Sequence, residues 1–106
     1  MTIALIYVTC PDREVARSIA RTLVDRKVIA CANIMDVESL YRYRTEIVNE
    51  GEVLLLMKTR AEIAEGVVAA AKDLHPYETP CVVAYASMHA DPTYAAWVAF
   101  EASRNP

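Results

Sequence analysis

Apolar positions fall in blocks whose spacing switches between strand and helix periods. Ile3 to Cys10 is a continuous apolar and β-branched run closed by Pro11, which predicts a strand buried on both faces and central in its sheet. Asp12 offers an N-cap oxygen and Glu14 a first-turn negative charge. Val15, Ala16, Ile19, Ala20, Leu23 and Val24 recur at helical spacing, so residues 12–26 read as an amphipathic helix. Val28 to Met35 is again apolar. After the polar residues Asp36 to Glu38, Leu40 to Arg44 alternate with period two, which predicts a strand bent midway. Asn49-Glu50-Gly51 carries turn chemistry, so the run Val53 to Met57 pairs back on that strand in a long antiparallel hairpin.

Thr59 with Glu62 three residues on reads as a capping box. The helix it opens covers residues 60–74, presents Ile63, Val67, Ala71 and Leu74 on one face, and is stopped by Pro76. Cys81 to Met88 is a further strand, and Asp91-Pro92 opens a last helix in which Tyr94, Trp97, Val98 and Glu101 fall three or four apart. The order βαββαβα predicts an α+β, ferredoxin-like split βαβ fold with an additional C-terminal helix and a long β2-β3 hairpin. Such a sheet leaves one face uncovered and its hairpin edges open, hazards that self-association removes.

Composition narrows the function classes. At 106 residues, with 55% hydrophobic residues and only two glycines, residues 1–106 read as one domain that fills its own core. The net charge of -3 and the scatter of Lys and Arg leave no footprint for a phosphate backbone, so nucleic acid is not an expected partner. The run Ile3 to Cys10 is about half the length of a membrane span and no basic segment precedes it, so no membrane partner and a cytoplasmic location are expected. Cys10, Cys31 and Cys81 are odd in number and lack C-x-x-C spacing, which speaks for free thiols.

Candidate chemistry is sparse. Of the two histidines, His75 and His89, the first stands where the second helix ends, beside carbonyls that favour its positive form. For a borderline ion such as copper, His75 with Cys10 or Cys31 is the best intrachain donor set, although Cys31 and Cys81 also suit packing as small hydrophobes. Cys10 precedes a helix N-terminus whose dipole acidifies a thiol, but Pro11 removes an amide donor there, and neither acyl transfer nor nucleotide hydrolysis is expected. Glu52 and Glu78 show no defined acid and base separation, so the chain reads as a binding protein and not an enzyme. Tyr41 and Arg42 alternate along the hairpin, Lys58 closes the partner strand, and Tyr77 and Glu78 follow His75. These, with Cys31, form either a solvated face or an intersubunit cleft. Trp97 reads as packing bulk.

Several segments together resemble the CutA divalent-cation-tolerance family: Val8-Thr9-Cys10-Pro11-Asp12, Ala30-Cys31-Ala32-Asn33, Ser39-Leu40-Tyr41-Arg42-Tyr43, Lys58-Thr59 and His75-Pro76-Tyr77-Glu78-Thr79-Pro80, with Tyr94 and Trp97 in the last helix. Tyr43 stands where that family usually shows Trp, and Leu74 and Val8 where some members carry a second His and a first-strand Cys. The resemblance implies a tight homotrimer whose hairpins pair across subunits, tolerance to copper and other divalent cations, and no required cofactor beyond such an ion. A rival expectation is a signalling trimer that takes a small anionic metabolite in intersubunit clefts, by fold-level analogy with nitrogen-regulatory trimers.

Overall fold

A computed structural model describes residues 2–106. In chain order the elements are β1 (Ile3–Cys10), α1 (Arg13–Asp25), β2 (Cys31–Tyr43), β3 (Glu46–Arg60), a 3-10 turn (Ala61–Ile63) running into α2 (Ala64–Leu74), β4 (Val82–Ala86) and α3 (Pro92–Glu101). The strands form one antiparallel sheet in the order β2-β3-β1-β4, so β1 is central as its composition requires. Asp12 caps α1 by accepting from the Val15 amide at 2.8 Å. Asp91 caps α3 by accepting from Tyr94 at 2.9 Å, with Pro92 in the first turn.

Ala4, Ile6, Val8 and Cys10 of β1 and Val53, Leu55 and Met57 of β3 point into a core closed by Ile19 and Leu23 of α1 and Val67 and Ala71 of α2. Each large side chain buried there contributes roughly 1.5–3 kcal/mol. The alternate residues Leu5, Tyr7 and Thr9 are only half-buried, so β1 is sealed on one face and not on both. That second face is covered at one end by α3, whose Ala95 and Val98 pack on Ile3. Met35, Val83 and Tyr85 lie open elsewhere on it, 43%, 40% and 54% exposed.

Two local expectations are corrected. Asn49-Glu50-Gly51 is not the hairpin turn: it lies within β3, opposite Glu38 to Leu40, and β2 runs unbroken through Asp36 to Glu38. The reversal is at Arg44-Thr45, where both residues hold positive φ, 47° and 71°. That is the requirement of the tight two-residue turn whose twist matches the strands, and neither residue is glycine or asparagine. Changing Arg44-Thr45 to Asn-Gly should therefore stabilise the protein by about 1 kcal/mol. The check is the urea midpoint of the double variant, and an unchanged or lower midpoint would refute the strain.

Thr59 is likewise not a helix cap. It pairs opposite Ala4 within β3, is fully buried, and donates its hydroxyl to the Val28 carbonyl at 2.7 Å. The next residue instead fixes the chain's last residues: Arg60 Nε donates to the Ala102 carbonyl at 2.6 Å and its guanidinium reaches Arg104 and Asn105. Pro106 rests on α2 at Gly66, where any Cβ would lie 2.5 Å from its Cγ.

Candidate functional site

His75 ends α2 and turns its ring back under β1. Its Nε2 lies 2.8 Å from the Thr9 carbonyl, which can only accept, so Nε2 carries the proton. Nδ1 is then the lone-pair nitrogen and accepts from the Tyr77 amide at 3.1 Å. The ring is buried and stacks at a tilt on Tyr77, with centroids 4.8 Å apart. Both nitrogens are engaged, so a metal ion at His75 has to displace one of these bonds.

Cys10 lies at the end of β1, fully buried. Burial, reinforced by the charges of Glu52 and Asp12, pushes its thiol up from 9.0 to about 11, the reverse of the acidification expected from the following helix. Thiolate is thus scarce at neutral pH, which disfavours it as ligand or nucleophile. Because the folded state holds the proton more tightly, the associated stability is complete below about pH 9 and is lost as pH rises through about 11, on the order of 2 kcal/mol. Urea midpoints measured across this range should fall more steeply for the native chain than for Cys10→Ala; parallel slopes would contradict the burial argument.

The surroundings of Cys10 are acidic and phenolic. Burial raises the Tyr77 hydroxyl's pKa, and so do Glu52, Glu50, Cys10 and Asp12. Tyr41 donates to Glu50 Oε1 at 2.6 Å, a bond that with its carboxylate neighbours lifts Tyr41 to about 12. A depression of about 320 Å³ beside this end is lined by Asp12, Glu14, Val15, Ser18, Leu74 and Pro76. Among the described residues no three His, Cys, Asp or Glu side chains converge as metal ligands would, so one protomer does not supply a closed metal site.

A second group lies at the other end of the sheet. Cys31 is the register partner of Lys58, and its Sγ is 3.4 Å from the Tyr94 hydroxyl. Lys58 Nζ donates to Asn33 Oδ1 at 3.0 Å and stands 5.7 Å from the centre of the Tyr94 ring. The bond with Cys31, then burial, raises Tyr94, while the neighbouring ammonium of Lys58 pulls the other way.

The expected cleft residues therefore separate within one protomer. Tyr41 and Tyr77 belong to the acidic end with Glu50 and Glu52, Tyr77 lying against His75, while Cys31 and Lys58 sit under α3. Arg42 reaches only the Thr45 carbonyl at the hairpin tip, and Glu78 is exposed in the loop after α2. Trp97 is 43% exposed and tilted against Tyr94 at 5.7 Å, so it is not simple packing bulk. Sequence reasoning missed Asn33 and the grouping of Glu50 and Glu52 with Tyr77. The sequence reads Glu50 as part of a turn and Asn33 as part of an apolar run, and only the pairing register shows what these residues face.

Known proteins resemble this chain over most of its length. The family model described as CutA1 divalent ion tolerance protein matches residues 4–101. A CutA homologue of Xenopus laevis is 38% identical over 87% of this chain and 62% of its own length, and the chain spans less than two thirds of the vertebrate relatives it matches. The divalent-cation tolerance protein CutA of Thermus thermophilus is 37% identical over 89% of this chain and 92% of its own. The solved structure of the periplasmic divalent cation tolerance protein CutA of Archaeoglobus fulgidus superposes with a TM-score of 0.90 at 30% identity, covering 94% of this chain and 98% of that one. The family model spans most of the chain and the superposition matches its fold, and the chain belongs to the CutA1 divalent ion tolerance family.

Proposed function

We propose that this divalent-cation tolerance protein works as a cytoplasmic homotrimer of ferredoxin-like protomers that binds copper or other divalent ions and contributes to metal-ion homeostasis. The observation that carries the ion reading is the acidic end of the sheet, where burial first and then carboxylates raise two groups, Glu52 and Asp12 acting on Cys10 and Glu52, Glu50 and Asp12 on Tyr77. Such a field concentrates cations. Among the described residues one protomer offers no complete ligand set, and in this reading the ligands are shared between protomers, which ties binding to assembly. The assembly reading rests on the open apolar face that exposes Met35, Val83 and Tyr85.

A binding role fits this chemistry better than catalysis. The Cys10 thiol stays protonated and both His75 nitrogens are occupied, so neither an activated thiol nor a free imidazole base stands at this end. Three unpaired thiols suit a reducing compartment. The test combines light scattering with calorimetric titration of Cu(II) into the native chain, Glu50→Gln/Glu52→Gln and His75→Ala. A trimer whose copper affinity falls about tenfold in the double carboxamide variant supports the reading. Equal isotherms for all three proteins would remove the acidic end as the ion site, and a monomeric native chain would remove the assembly.

A further inference from the structure

The helical side of the sheet carries a second cavity, of about 280 Å³, lined by Arg26, Val28, Ala70, Arg104, Asn105 and Pro106. Val28 and Ala70 belong to the core packed beneath α1 and α2, so the floor of the cavity is the outer edge of that core. Met35, Val83 and Tyr85, opposite Leu54, Tyr7 and Leu5, share the other face of the sheet, so the surface assigned to assembly looks away from the cavity. The cavity also stands far from the acidic end. Arg60, which fixes Ala102, Arg104 and Asn105, pairs with Ile3 at the start of β1, whereas Cys10 closes that strand.

Every polar side chain in this lining offers donors. Among the described residues the ion pairs are Arg13–Asp36 and Arg60–Glu62, and neither Arg26 nor Arg104 takes part in them. Asn105 Oδ1 accepts from Arg60 at 3.4 Å, which leaves its NH2 as the free end. The carbonyls that end α1 would repel an anion, but those of Thr22, Leu23 and Val24 are taken by the amides of Arg26, Val28 and Lys27. We propose that this cavity binds a small phosphate monoester. Arg26 and Arg104 match the two charges of the phosphate, Asn105 adds a neutral donor, and the organic group of the ester lies on Val28, Ala70 and Pro106. A monocarboxylate would leave one guanidinium without a counter-charge.

Half of the lining comes from residues 104–106, so the cavity exists only while that segment is docked on α2. Gly66 gives a way to undock it without altering a charge, because a Cβ there would lie 2.5 Å from Pro106 Cγ and push the ring away. The test is calorimetric titration of phenyl phosphate at about pH 8, where the ester is a dianion, into the native chain, Arg26→Met, Arg104→Met and Gly66→Ala. Benzoate and inorganic phosphate serve as comparison anions. Saturable binding of phenyl phosphate, tighter than either comparison, that weakens about tenfold in each methionine variant and several-fold in Gly66→Ala supports the site. No saturable binding, an affinity indifferent to both arginines or to Gly66→Ala, or a comparison anion bound as tightly would each overturn it. The methionines keep the main-chain bonds of Arg26 and Arg104, and alanine is the better helix former at Gly66. An unchanged or higher urea midpoint then shows that lost binding is not a lost fold.

Discussion

Replacing Tyr85 by Asp is expected to break the proposed trimer into particles of about one third its mass. Tyr85 lies on β4, edge-on to Tyr7 of β1 with centroids 6.4 Å apart, on the sheet face that neither α1 nor α2 covers. With Val83 beside it and Met35 on β2, it forms an apolar surface broken by few charges. A carboxylate there costs the isolated protomer almost nothing, because water reaches it. In an assembly that buries the face, each copy would carry an unpaired charge out of water, costing several kcal/mol per contact. The fold and its urea midpoint should survive while the mass by light scattering collapses. A variant that keeps the native mass would show that assembly uses other surfaces.

His75→Ala should cost about 3 kcal/mol of stability even with no metal present. The imidazole bridges the end of β1 to the loop after α2, accepting from Tyr77 and donating to Thr9, and it is nearly fully buried. Alanine leaves the Thr9 carbonyl and the Tyr77 amide without their partner and opens a ring-sized void between them. The expected result is a clear drop in urea midpoint for metal-free protein. That drop matters for any copper titration of this variant, because weakened binding would then report a loosened loop as much as a lost ligand. An unchanged midpoint in chelator-treated protein would show that the bridge is not structural and return His75 to the ligand set.

Most of the fold was legible because hydrophobic period and capping chemistry agree. Asp12 and Asp91 fix two helix starts through short-range hydrogen bonds, and Pro76, which has no amide to donate, fixes one helix end, all stated outright by the sequence. The hairpin turn was misread because Asn49-Glu50-Gly51 has the better turn composition, yet register is decided by the whole ladder. Aligning Ala32 with Met57 and Ile34 with Leu55 sets the apolar faces together and leaves Arg44-Thr45 to make the reversal. Thr59 was misread for a similar reason, since its hydroxyl found a carbonyl thirty-one residues away and not the next turn of helix. The candidate site was legible as a list of residues but not as a geometry. Lys58 and Tyr41 share a hairpin, and only the pairing register reveals that one lies under α3 while the other belongs with Glu50.

β1 pairs with β3 only from Val53 to Arg60, so the ladder from Val37 to Glu52 has no third strand beside it. A two-stranded ribbon is marginal in water, so in an isolated protomer its amides would open and exchange hydrogen with solvent almost freely while those of β1 stay locked. Each amide of the ribbon is therefore a clock for association. Slow exchange at Leu40 or Val48 would mean that something outside the protomer is holding the ribbon shut.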